Sequence, residues 1–167
     1  MNYYLETLKK NLDKENYQPF LKRLEIPLKD FSDQIFLSEV LNTSSINSVY
    51  SKLLGIGQGS TPQSDDVFLG VITAMSIMNP EVEQKLFHLA ALRYETFTTK
   101  KSSILIRKIL RGNFPQEILR LIQLMRSNTQ TIELENEIRK VKEIGASSGI
   151  YFLVGLFWQL RYCENLK

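Results

Sequence analysis

GIGQGSTPQSDDVFLGVITAM, residues Gly55–Met75, decides the reading of this chain. Three glycines alternate with other residues, Ser-Thr-Pro follows, and two adjacent aspartates open an apolar run. Glycine enters left-handed backbone without steric penalty, so the first half reads as a tight irregular loop. Aspartate is favoured at a helix start, where it accepts from unsatisfied N–H groups and meets the positive end of the dipole. From Asp66 to Met78 there is almost no polar face, which predicts a helix buried on all sides. Such a helix needs other helices to cover it.

The flanking sequence supplies them. Residues 2–24 carry Leu5, Leu8 and Leu12, then Phe20, Leu21 and Leu24, at helical spacing. Pro27 is expected to end that helix or bar its continuation. DQIFLSEVL (Asp33–Leu41) fits a strand or a short helix, and NTSSINSVYSKLLG (Asn42–Gly55) reads as a cap and a short helix. Pro80 opens an amphipathic helix through about Tyr94, with Val82, Leu86, Leu89 and Leu92 in register. Ser102 or Ser103 is the expected cap of ILIRKILRG, which Gly112 stops. Asn113 and Pro115 start a helix with the stripe Ile118, Leu121, Ile122 and Met125. Thr131 precedes another, with Leu134, Ile138 and Val141 aligned, ending at Gly145. GASSG then leads into a last buried helix, Ile150 to Tyr162. The expectation is an all-α fold, a compact bundle of six to seven helices forming a single domain over residues 1–167.

Bulk properties exclude several classes. Hydrophobic content of 43% and charged content of 23% over 167 residues are ordinary for a globular domain. A net charge of +3 does not argue for nucleic acid. Seven basic residues, Lys101 among them, lie between Thr98 and Arg126 against Glu117 alone, but without aromatic interleaving for base stacking; such a run reads first as a solvated face and otherwise as an anion-binding or partner-facing surface. The lone Cys163 forms no internal disulfide and, with the lone His88, no zinc site of the usual kind. The longest apolar run, IYFLVGLFWQL, falls short of the roughly 20 residues that span a bilayer. The N-terminus is too polar for a signal peptide. These readings give a cytoplasmic protein without membrane or nucleic-acid partners.

The two apolar helices begin alike. SDDVFLG (Ser64–Gly70) and GIYFLVG (Gly149–Gly155) each place a glycine inside the helix after a loop of Gly and hydroxyl residues. An internal helical glycine costs about 1 kcal/mol relative to alanine, and close helix–helix approach is the return. If the helices pack side by side, both loops converge, with helix N-termini that favour an anion. Asp65 and Asp66 stand at its edge. Tyr151 matches Asp66 in the echo and is expected at the same mouth, bonded to Asp65 or Asp66, where a phenol disfavours a divalent metal. The plainer reading is equally open: the aspartates cap, and the glycines only turn the chain. No Walker lysine and no full dinucleotide fingerprint is present.

GIGQGSTPQSDDVFLG resembles the GLGPGLTPSGDDFLxG signature of a bacterial family that includes the AllH-type third subunit of oxamate carbamoyltransferase. FTTKKSSILIRKILRGNF is similar to that family's Thr-Thr segment, helix and ARGxF stop, and IGASSGIYFLVGLFWQL to its IGHSSGxDxLxGLLxGL close. The resemblance covers residues 53–160 and leaves 1–52 divergent. It implies that Gly57, Gly59, Thr61, Pro62, Asp65 and Asp66 form the functional loop, approached by Thr98, Thr99, Ser147, Ser148 and Gly149. It also exposes departures: Ala146 replaces the motif's His, Tyr151 its Asp, and Ser60, Gln63 and Ser64 its Leu, Ser and Gly. The implied function is a subunit that binds a small carboxylate or phosphate anion, with degenerate chemistry, no identified cofactor, and partner subunits or a homo-oligomer. The alternative is a non-catalytic helical protein–protein interaction module. Ser147 and Ser148 read as caps, and His88 as a plain helix-face residue.

Overall fold

A computed structural model describes residues 2–127 and 132–166. Among them there are nine α-helices and no strand: α1 Asn2–Leu12, α2 Gln18–Leu37, α3 Thr43–Leu53, α4 Gln63–Met78, α5 Val82–Leu89, α6 Lys100–Leu110, α7 Gln116–Arg126, α8 Ile132–Lys142 and α9 Ser148–Glu164. A single 3₁₀ turn, Glu95–Phe97, precedes α6. No helix of the described residues is long and apolar enough to cross a membrane. Thr131, expected just ahead of α8, lies outside the described residues.

The all-α expectation holds, but nine helices replace six or seven. The N-terminal stretch breaks at residues 13–17, where Tyr17 turns into the core. Lys142 of α8 covers the end of α1 by donating to the Asn11 carbonyl, 3.0 Å, and pairing with Glu15, 2.6 Å. Pro27 does not end a helix; it sits inside α2. The reason is the stripe that spans it: Leu21, Leu24, Leu28, Phe31 and Ile35 are all buried. An interior proline costs about 3 kcal/mol. Each large apolar side chain buried beyond it returns about 1.5–3 kcal/mol. DQIFLSEVL accordingly begins as the end of α2. The amphipathic helix opened by Pro80 stops at Leu89, not Tyr94, because Tyr94 turns in to meet Tyr50 at 6.0 Å.

The core is built on α4 and α9, which pack against each other along their lengths. Every residue from Ser64 to Ser76 is buried, as the lack of a polar face dictates. A Cβ at Gly70 would fall on the Phe152 carbonyl, and one at Gly155 on the Val67 carbonyl. The two glycines thus bring the backbones into contact at the crossing. The end of the loop before α4 meets the first turn of α9, through Thr61 and Ser148, so the helices run the same way and their preceding loops share one end of the bundle. Buried polar groups within the pair close locally, Thr73 onto Leu69 O at 2.7 Å and Ser76 onto Ile72 O at 3.1 Å. Gln159 accepts from Ser32 of α2 at 2.7 Å.

Candidate functional site

The glycine loop is held almost entirely by its own neighbours. Gly55, Gly57 and Gly59 have φ of +76°, +123° and +87°, the left-handed region that excludes most side chains. Ile56 N donates to Ser64 Oγ at 2.8 Å, Ser64 N to Ile56 O at 3.0 Å, and Gln58 N to Gln63 Oε1 at 2.7 Å. Asp65 is fully buried and accepts from Gly55 N at 2.7 Å and from the Thr98 hydroxyl. Thr99 donates to Ser60 O at 2.6 Å while accepting from Ser102 N at 3.2 Å, so Thr99, and neither Ser102 nor Ser103, caps α6. The Thr-Thr pair therefore straps α6 to the loop. Asp65 is a structural pin, and the loop amides named here donate inward.

Beside this braced loop lies a cavity of about 370 Å³, where the starts of α4, α6, α7 and α9 meet the end of α8. Its polar lining is Thr61, Asp66, Lys101, Glu117 and Ser148; its walls are mainly Leu69, Leu105, Ile109, Ile118, Val141 and Phe152. Thr61 Oγ1 and Ser148 Oγ lie 3.1 Å apart, and Ser148 also hydrogen-bonds Asp66, which links the three in a chain from loop to carboxyl. Asp66 is only 4% exposed. Burial pushes its carboxyl up to about 7; the Ser148 hydrogen bond and Lys101 oppose that rise, and the charge of Asp65 adds to it. A carboxyl poised near neutrality, with two hydroxyls and an ammonium on the same lining, can donate or accept a proton and orient a polar group.

Of the residues singled out from sequence, Thr61, Asp66, Ser148 and Gly149 line the cavity. Gly57, Gly59, Asp65, Thr98 and Thr99 belong to the loop and its bracing. Gly149 also lets α9 approach α8, since a Cβ there would fall on the Val141 carbonyl. Ser147 stands at the N-cap position of α9 without a capping side-chain bond, and Ser148 is engaged with Thr61 and Asp66 rather than with its own helix start. Tyr151 is not among the lining residues; its ring meets Phe20 of α2 edge-on at 5.2 Å, where apolar contact outweighs a polar mouth. His88 lines a different depression, beside Lys85 and Leu92. Within the basic stretch, Arg107 pairs with Glu95, Arg120 with Glu133 at 3.4 Å, and Arg126 with Glu83 at 3.0 Å. Lys101 was not singled out from sequence, although Lys101, Leu105 and Ile109 share one face of α6 at i, i+4, i+8, a lysine continuing an apolar stripe. Among the described residues no group of three or more His, Cys, Asp or Glu is placed to hold a metal ion.

No solved structure matches the chain. The family model of the oxamate carbamoyltransferase subunit AllH matches residues 53–160, which takes in the glycine loop, α4 and most of α9 and amounts to more than half of the chain. By that match the protein belongs to the oxamate carbamoyltransferase subunit AllH family.

Proposed function

We propose that this chain is a small-molecule-binding subunit related to the oxamate carbamoyltransferase subunit, and that it holds a carboxylate or phosphate anion in the cavity at Asp66. The observation that carries the reading is the convergence of Thr61, Asp66, Lys101 and Ser148 on one cavity beside a loop braced by Asp65, Thr98 and Thr99. The volume falls in the range of small-ligand sites. Lys101 supplies positive charge at the rim, and the hydroxyls and the protonated form of Asp66 supply donors. Chemistry is reduced: Ala146 and Tyr151 stand where the resembling motif carries His and Asp, which leaves Asp66 as the titratable group in the cavity near neutrality. Family membership of a named subunit supports work alongside partner subunits.

Calorimetry with acetate, oxamate and carbamoyl phosphate, with and without magnesium, tests this. At least one anion binds, and Lys101→Met abolishes or greatly weakens the binding. Absence of binding by all of them overturns the reading.

A further inference from the structure

The cavity's charges and walls narrow the ligand class, on the footing of the reading above. The ionisable groups around Asp66 are few: Asp65 beside it on α4 and Lys101 from α6 act on it, and the exposed Glu117 of α7 lines the same cavity; α9 presents Ser148, and α8 presents Val141. One cation against two lining carboxyls does not balance a phosphate dianion or a dicarboxylate. Two ligand charges would be desolvated beside the buried Asp66, with only Lys101 on the lining to offset them. The remaining lining is predominantly hydrocarbon, and a wholly polar ligand would leave it unmatched.

We propose that the cavity takes a monocarboxylate with an apolar body, bound together with one proton on Asp66. The protonated carboxyl of Asp66 donates to the ligand carboxylate, Lys101 neutralises that carboxylate from the rim, and the Thr61–Ser148 pair supplies further donors. The apolar body lies along Leu105, Ile109, Ile118 and Phe152. The proton comes from solvent when Asp66 starts ionised, so the complex forms from ligand anion, ionised Asp66 and one proton, and no bond is made or broken in the ligand. Burial already holds Asp66 at about 7, and a bound anion raises it further. Uptake is therefore greatest above neutrality. An ammonium ligand would do the reverse and expel the proton.

Titration calorimetry at pH 8, in two buffers of different ionisation enthalpy, tests this with acetate, butanoate, hexanoate, oxamate, oxalate, carbamoyl phosphate and hexylamine. Affinity is expected to rise from acetate to hexanoate by about fourfold per methylene, with uptake approaching about one proton per ligand. Asp66→Asn, which keeps a donor but cannot titrate, binds hexanoate without proton uptake. The buffer comparison on the unaltered protein stands even if that variant misfolds. Oxamate or oxalate binding more tightly than hexanoate, or hexanoate binding without proton uptake, overturns this inference and leaves anion binding intact. Hexylamine binding with proton release while no acid binds, or no ligand binding at all, overturns both.

Discussion

Asp66→Asn removes a buried carboxyl whose ionisation the fold opposes. Its folded pKa, about 7, lies above the ordinary aspartate value of 3.8, so the folded chain binds this proton more tightly than the unfolded chain does. The resulting stabilisation is complete below about pH 4, is lost as pH rises from about 4 to 7, and stays lost above that. Moving the pKa from 3.8 to about 7 corresponds to about 4 kcal/mol. Relaxation of the cavity and water entry reduce this, so ionised Asp66 costs the folded state about 2–4 kcal/mol at pH 8. Asparagine is nearly isosteric with the neutral acid. It should come close to the wild type at about pH 3.5, below the unfolded value, and exceed it in stability by about 2–4 kcal/mol at pH 8. For a chain of this length each kcal/mol moves Tm by about 2–4 °C. Urea unfolding of both proteins at the two pH values isolates the effect, because every other titrating group cancels in the comparison. A variant offset by the same amount at about pH 3.5 and pH 8 would refute the assignment of a raised pKa to Asp66.

Other perturbations separate the roles of neighbouring residues. Asp65→Ala leaves the Gly55 N–H and the half-buried Thr98 hydroxyl without their acceptor and should destabilise by about 1–3 kcal/mol in urea unfolding. Asp65 and Asp66 therefore respond in opposite directions at pH 8 despite adjacency. Gly70→Ala and Gly155→Ala each gain about 1 kcal/mol of helix propensity, yet each places a methyl on a carbonyl oxygen of the partner helix. Both should lose stability by about 1–3 kcal/mol or more, seen as a lower thermal midpoint. Lys101→Met sits on an exposed side chain and should leave stability within about 0.5 kcal/mol while abolishing or greatly weakening carboxylate binding.

Much of the fold was legible because it rests on patterns that need little tertiary knowledge. The unbroken apolar run in α4, the glycine at position 112 with φ +77° that stops α6, and the stripe of α8 are local signals that packing reinforces. Failures occurred where packing overrode local preference. Pro27 sits in a helix because a buried stripe runs through it, and Tyr94 leaves one because the core recruits it. In the candidate site, Asp65 and Asp66 look identical in sequence. One turns back to pin Gly55 and Thr98, while the other faces a cavity, and that difference lies in which helix-start direction each side chain occupies. Tyr151 shows the limit of an echo in sequence: matching register on two helices did not give matching surroundings, because Phe20 waits beside one of them. Lys101 stood in the sequence only as one of seven basic residues, because a lysine in a basic stretch reads first as solvated until α6 is docked.

The most direct measurement is a carbon-13 NMR titration of the Asp66 side-chain carboxyl, with and without saturating hexanoate. A midpoint near 7 in the free protein, moving upward when hexanoate is added, is the expected result. A midpoint near 4, or one near 7 that saturating hexanoate leaves unmoved, would contradict the claim that this cavity binds a carboxylate at Asp66.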